Sequence, residues 1–200
     1  RYLVDATGRD TLIGNQLRLK RKSRHHQSAA LFAHFRGVER RPGSDQGNIS
    51  IYRFEHGWVW LIPLRDGVTS IGAVCWPDYL KQRQGDRCAF LMQTLLAIPA
   101  LAQRLEHAEM VGNLHATGNY TYACTQMSGP RWVMAGDSYA FVDPIFSSGV
   151  YLAMHGAEVA AGVVDGTLRN PSRERTLQRG YERQVARGLK TLSWFIYRFT

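Results

Sequence analysis

Two short apolar segments, each followed at once by a glycine turn, constrain the fold of this chain most strongly. Tyr2–Asp5 runs into a turn that contains Gly8, and Arg131–Ala135 runs into Gly136-Asp137. Glycine permits the sharp change of direction that a strand end needs. Between the two segments, short β-type runs alternate with turn signals, which predicts an antiparallel meander. The candidate strands of this meander are 29–38, 47–54, 58–63 and 69–76.

The remaining periodic segments predict one further strand and several helices. Residues 112–124 alternate in a strand-like manner, and 86–105 reads as a helix that Pro99 kinks or ends. A long helix is predicted from about Pro144 to Leu168, with Asp143 as its cap. Its small residues (Ala153, Gly156, Ala157, Ala160 and Ala161) would let it lie close against a sheet. The last helix carries the apolar positions Leu177, Tyr181, Val185, Leu189, Leu192 and Ile196 on one side, and an arginine stripe, Arg175, Arg179, Arg183 and Arg187, along its surface.

This order of elements predicts an α/β (α+β) fold. We expect a partial Rossmann-like layer with an inserted antiparallel β-sheet domain and a C-terminal helix. The layer would comprise residues 1–24 and 127–170, the insert residues 25–126, and the start of a helical region residues 171–200. Because the chain opens within a strand and closes on an aromatic run, we expect an interior piece of a longer protein.

Composition narrows the functional class. The 200 residues are 44% hydrophobic and 20% charged, which excludes a disordered chain, and no apolar run approaches a membrane span. Three widely spaced cysteines make no disulfide framework, so we expect a cytoplasmic protein. The net charge of +9 would suit a basic binding module, but no nucleic-acid-binding motif accompanies it.

The common catalytic and metal-binding signatures are absent from the sequence. There is no HExxH, paired CxxC, GxSxG elbow or phosphate loop. His25-His26 is expected at the surface, and no histidine has a neighbour at metal-ligand spacing. We therefore expect no metal.

The stretch 135–150 is the best candidate for a cofactor site. A carboxylate at the carboxyl end of a strand, Asp137, can accept hydrogen bonds from ribose or ribitol hydroxyls. Ser147, Ser148 and Gly149 would place free backbone N–H groups at a helix start, where the helix dipole suits a reduced flavin's pyrimidine edge or a halide. The combination indicates a flavin site.

A second informative stretch is 57–63. Trp58, Trp60 and Ile62 share one face of a strand because side chains alternate with period two. Two indoles so placed form a stiff wall, which serves either core packing or an aromatic pocket.

Taken together, these motifs resemble the flavin-dependent halogenases. Trp58, Trp60, Ile62 and Pro63 match the family's WxWxIP motif, and Asp5-Ala6-Thr7-Gly8 is similar to its turn near the cofactor. The resemblance makes 1–24 with 127–170 part of an FAD-binding domain and 25–126 a substrate domain. It implies that halide is held at Ser148 and Gly149, and that FAD is bound by Asp5, Gly8, Gly136, Asp137, Pro144, Ser147, Ser148 and Gly149.

The family's chemistry follows from the same resemblance. A separate flavin reductase supplies reduced FAD, whose reaction with O2 gives a flavin hydroperoxide. Chloride or bromide attacks this species, and the hypohalous acid reaches an electron-rich aromatic substrate, guided by a lysine. Trp58 and Trp60 would keep the substrate apart from the flavin, so the WxWxIP residues count as catalytic.

Several departures from the family qualify these expectations. Halogenases of free tryptophan carry a glutamate where this chain has Ile145-Phe146-Ser147, so a phenol or pyrrole is expected, in some cases tethered to an acyl or peptidyl carrier protein. The GxGxxG fingerprint and the lysine belong before Arg1, and this piece alone is expected to be inactive. An FAD-dependent monooxygenase or related flavin oxidoreductase of the same fold, and a basic binding module, remain alternatives.

Overall fold

The structure is a computed structural model that describes residues 1–23, 27–118 and 121–199, without the side chain of Phe199. His25 and His26 lie outside the described residues. The strands are β1 (Leu3–Asp5), β2 (Lys20–Lys22), β3 (Ala29–Arg36), β4 (Ser50–Phe54), β5 (Gly57–Pro63), β6 (Thr69–Cys75), β7 (Glu109–Gly118), β8 (Tyr122–Cys124), β9 (Ser128–Gly129), β10 (Trp132–Met134) and β11 (Ala140–Phe141). The helices are α1 (Leu12–Gln16), α2 (Pro77–Lys81), α3 (Arg87–Leu96), α4 (Pro99–Arg104), α5 (Gly149–Arg169) and α6 (Glu174–Phe199).

The chain forms two compact units. Unit 1 comprises residues 1–26 and 120–199, and unit 2 comprises 27–119. The predicted boundary at 126 differs from this division. In the structure β8 pairs with β2 and β11, which draws residues 122–124 into unit 1.

Unit 1 is built on the two glycine-terminated segments. Strand β1 pairs in parallel with β10, with Asp5 opposite Met134, and β9 adds an antiparallel strand. A parallel pair places both carboxyl ends at one edge, so the two turns that follow become neighbours. A second small sheet has the order β11-β8-β2.

Two long helices complete unit 1. Helix α5 begins at Gly149, whereas the sequence predicted a start near Pro144. Residues Pro144–Phe146 form a separate 3₁₀ turn, which Asp143 caps by accepting from the Ile145 N–H. Of the predicted apolar side of α6, Tyr181 and Ile196 are the fully buried members, and Tyr181 packs with Val133, Ala160 and Val163 in the unit 1 core.

Unit 2 is a five-stranded antiparallel sheet of order β4-β5-β6-β3-β7. The prediction of a continuous meander is wrong at one place, because β3 pairs with β6 and β7 and not with β4. The long connection after β3, with a 3₁₀ turn at Gly43–Gly47, allows β4 to start at the far edge. The predicted helix 86–105 is split at Pro99 into α3 and α4, and the predicted strand 112–124 is split into β7 and β8.

One hydrophobic cluster of unit 2 lies between one face of its sheet and the helices. Every second side chain along the strands lies on the same face of the sheet. Those on one face, such as Val59, Leu61 and Ile71, pack against Leu91 and Leu95 of α3. Side chains at the alternate positions, which include Trp58 and Trp60, therefore point to the opposite face. Among the described helices, none has the length and apolar character that crossing a membrane requires.

Removal of a side chain from this core should destabilise unit 2. Leu61→Ala empties a site that is fully buried, and we expect a loss of about 2–5 kcal/mol in the free energy of unfolding. Leu64→Ala is the matched control because Leu64 is 40% exposed. Denaturant titration followed by tryptophan fluorescence measures both variants, and equal losses would contradict this placement of the core.

Candidate functional site

The Asp5 carboxylate shapes the first turn of unit 1. It is buried; its Oδ1 accepts from the Thr7 N–H at 3.0 Å and the Thr7 hydroxyl at 2.6 Å, and its Oδ2 accepts from the Ile13 N–H at 2.7 Å. These bonds tie the loop after β1 to the start of α1 and hold Gly8 at φ +65°. The structure thus shows Asp5 bonded to its own chain. Its predicted contact with a cofactor stays a prediction.

Ser138 joins the first turn to the second. Its buried hydroxyl lies 2.5 Å from the Asp5 carbonyl oxygen and 2.8 Å from that of Ala135, at the carboxyl ends of β1 and β10. The second turn, Gly136–Ser138, starts at Gly136 with φ +61°. A Cβ at Gly136 would lie 2.9 Å from the Ala153 Cβ, so the small-residue side of α5 approaches this turn closely.

The start of α5 corrects one expectation about its N–H groups. The Ser147 N–H is not free, because Ser147 ends the preceding 3₁₀ turn at φ +52° and donates to the Pro144 carbonyl at 2.8 Å. Within the described residues, the N–H groups of Ser148 and Gly149 donate no hydrogen bond. The Ser148 hydroxyl oxygen is buried and has no partner among the described residues. These groups can receive an anion.

The two turns and the start of α5 surround one cavity of about 640 Å³. Five of the predicted cofactor-binding residues line it, namely Gly8, Gly136, Asp137, Ser147 and Gly149. The predicted residues Asp5, Pro144 and Ser148 are not among its lining. Ala153 and Ala157 were predicted only as small residues that face a sheet, and the sequence did not predict the apolar lining of the cavity, whose members are Ala6, Ala135, Phe141, Val150, Ala153, Met154 and Ala157. The last four recur at helical spacing, a signal that the sequence offered.

Asp137 is the acidic residue that lines this cavity. Burial raises the pKa of the Asp137 carboxyl, and the nearby positive charge of Arg9 partly offsets the rise. The Arg9 guanidinium lies 5.2 Å from the centre of the Phe141 ring, a cation–π contact. The Tyr122 hydroxyl donates to the Asp137 backbone carbonyl at 2.6 Å, which fixes the turn beside the carboxylate.

The indole pair lies on β5 in unit 2. Trp58 is buried and Trp60 is partly buried, with ring centres 5.9 Å apart at an interplanar angle of 50°. The Trp60 ring also lies 5.7 Å from that of Phe32. Ile62 continues the same face, and Pro63 ends the strand opposite Thr69. The predicted wall of two indoles on one sheet face is therefore present. Its catalytic role stays a prediction.

Residues 1–23, 27–118 and 121–199 hold no group of three or more His, Cys, Asp or Glu side chains that could bind a metal ion.

The raised pKa of Asp137 predicts a pH dependence of stability. A carboxyl whose folded pKa exceeds its unfolded value destabilises the fold as pH rises through its titration range. Asp137→Asn removes this charge, so we expect the variant to unfold at higher denaturant concentration than the wild type at pH 7. The difference should shrink as the pH is lowered to 4, since protonation of the wild-type carboxyl removes the same charge. Chemical denaturation at both pH values measures it, and a larger advantage at acidic pH would contradict the assignment.

Comparison with known proteins identifies the relatives of this chain. It is 32% identical over 198 residues to the flavin-dependent halogenase gsfI of Penicillium aethiopicum, and covers 37% of that protein with 94% of its own length. It is 28% identical to the 1H-pyrrole-2-carbonyl-(peptidyl-carrier protein) chlorinase of Pseudomonas fluorescens, and covers 45% of that protein with 98% of its own length.

Solved structures agree with these sequence relatives. The fold matches the myxobacterial chondrochloren halogenase CndH with a TM-score of 0.90 at 30% identity, over 99% of this chain and 46% of that one. It matches the flavin-dependent brominase Bmp2 with a TM-score of 0.91 at 26% identity, over 99% and 50%. The chain thus spans between about a third and a half of the length of these relatives. Because the tryptophan halogenase family model matches residues 1–199, the chain belongs to that family.

Proposed function

We propose that the full-length protein halogenates an electron-rich aromatic compound with reduced FAD, O2 and chloride or bromide. One observation carries the proposal: five residues selected from sequence as cofactor ligands line a single cavity beside the start of α5. The relatives named above are halogenases, which supports the same reaction.

The cavity fits part of a flavin. Its volume is within the roughly 300–1,000 Å³ range of small-molecule sites. Its lining offers apolar surface from Val150 and Met154 to a flat ring, and one carboxylate, Asp137, to hydroxyl groups. Bound reduced FAD would supply the electrons that activate O2. The residues of this chain would hold and orient it.

Halide binding is proposed at the start of α5. Ser148 and Gly149 present N–H groups, and the buried Ser148 hydroxyl adds a third donor without a partner among the described residues. A buried donor left unpaired costs about 1–3 kcal/mol. An anion would remove that cost and would also gain from the helix dipole.

Trp58 and Trp60 are proposed as the wall that separates substrate from flavin. Their rings are close-packed and Trp58 is 3% exposed, so the wall is stiff. A stiff barrier would favour attack by a small oxidised halogen species over direct oxygen transfer to the substrate. Ile62 and Pro63 would extend and end this wall.

The substrate is proposed to be a phenol or a pyrrole. The chain has Ile145-Phe146-Ser147 where halogenases of free tryptophan carry a glutamate, and one relative is named for a pyrrole held on a peptidyl carrier protein. The exposed arginines of α6, Arg175, Arg179, Arg183 and Arg187, would suit an acidic carrier. A separate flavin reductase is the proposed source of reduced FAD.

The reaction itself can be tested with the full-length protein. With a flavin reductase, NADH, FAD, O2 and bromide, we expect a brominated phenol or pyrrole in mass spectra. Trp58→Phe with Trp60→Phe should lower the halogenated yield about tenfold or more and leave FAD bound. Omission of bromide and chloride is the control. Formation of a hydroxylated product with no halogenated one would identify a monooxygenase instead.

The role of Asp137 is tested by flavin affinity. Asp137→Ala removes a charged hydrogen-bond acceptor, so FAD binding to the full-length protein should weaken by about 1.5–3 kcal/mol. Asp165→Ala is the control, because Asp165 is an exposed acid of α5 that pairs with Arg169. Flavin fluorescence titration measures both. Equal dissociation constants for Asp137→Ala and the wild type would remove this role.

A further inference from the structure

The indole of Trp60 lies directly over a glycine of the neighbouring strand. Gly72 of β6 is the register partner of Trp60 on β5. A Cβ added to Gly72 would come within 2.3 Å of Trp60 Cζ2, 2.5 Å of Trp60 Cη2 and 2.6 Å of the Phe32 Cβ. Real Cβ contacts essentially never fall below 3.0 Å. Any side chain at position 72 would therefore displace the indole or the strand beside it.

The same strand also holds the indole N–H. Trp60 Nε1–H donates to the Ser70 hydroxyl at 3.2 Å. Ser70 lies two residues before Gly72 on β6, so both face the same side of the sheet. The bond fixes which edge of the indole points along β6.

Two other aromatic rings restrict the indole sideways. Trp58 lies 5.9 Å away and Phe32 lies 5.7 Å away, both tilted against Trp60. The Phe32 ring in turn stacks on His115 of β7 at 5.3 Å. The Trp60 ring is thus fixed in depth by Gly72, in rotation by Ser70 and laterally by two rings.

We propose that Gly72 and Ser70 are positioning residues for Trp60. They set the depth and orientation of the partly buried indole, and through it the placement of the aromatic substrate. The inference rests on the proposed function, in which Trp60 forms part of the wall between substrate and flavin. A displacement of about 1 Å in such a group can cost about a hundredfold in rate.

Gly72→Ala tests the depth of the indole, with Gly118→Ala as the matched control. Gly118 lies in the same sheet, and an added Cβ there would be 3.6 Å from the Ala29 Cβ, an ordinary contact. In the full-length protein we expect Gly72→Ala to lower halogenated product per reduced flavin consumed by about tenfold or more, with FAD affinity unchanged. Gly118→Ala should match the wild type.

Ser70→Ala and Ser70→Thr test the orientation of the indole. They also test the positioning of Trp60 if Gly72→Ala does not fold. Ser70→Ala should lower the same product ratio severalfold. Ser70→Thr, which keeps the hydroxyl, should restore it. A general loss of stability would not produce this rescue.

A spectroscopic measurement tests the position of Trp60 without relying on activity. The fluorescence difference between each protein and its Trp60→Phe counterpart isolates the emission of Trp60. We expect this emission to shift in Gly72→Ala and Ser70→Ala but not in Gly118→Ala. Unchanged emission and product ratio in both variants would overturn the inference. A wild-type protein that gives no halogenated product, with the emission shifts present, would instead count against the proposed function.

Discussion

The hydroxyl of Ser138 joins the carboxyl ends of two parallel strands, and the cavity of unit 1 depends on that junction. Its oxygen lies between the carbonyl oxygens of Asp5 and Ala135. The Asp5 carbonyl also accepts from the Ala135 N–H at 2.9 Å. Both turns that line the cavity begin at these atoms, so their spacing is set by buried hydrogen bonds. Such bonds are stronger where the local dielectric constant is low.

The acidic groups of this region divide into two kinds. Asp5 is buried and has its carboxylate oxygens bonded to Thr7 and Ile13, so its charge stabilises a local turn. Asp137 is partly buried and lines the cavity, and burial raises the pKa of its carboxyl. The Asp137 carboxylate is desolvated and, within the described residues, not fully hydrogen-bonded. A hydrogen bond from a ligand hydroxyl would therefore stabilise a complex more at Asp137 than at Asp5. The proposed cofactor role therefore falls on Asp137 more than on Asp5.

The sequence was sufficient for features that local chemistry determines. The strands that end at Asp5 and Met134, the break at Pro99 and the shared face of Trp58 and Trp60 follow from turn residues, a missing N–H and period two. The insertion of β3 between β6 and β7 was not predictable in this way, because strand order depends on long-range pairing. The hydrogen bond of the Ser147 N–H was not predictable for a different reason, because a 3₁₀ turn and an α-helix share the same start signals. Ser138 and Gly72 gave no sequence signal beyond their small size.

The hydrophobic cluster between the unit 2 sheet and its helices has an evolutionary consequence. Helices α2, α3 and α4 lie between β6 and β7 in the chain, and the cluster residues of α3 and α4 pack with Leu61 and Ile71 of the sheet. His34 on the other face is exposed and lies outside this cluster. Mutations there can accumulate without loss of folding, while Gly72 and the indoles keep a fixed frame. A chain built on this sheet can thus vary such exposed positions at little thermodynamic risk.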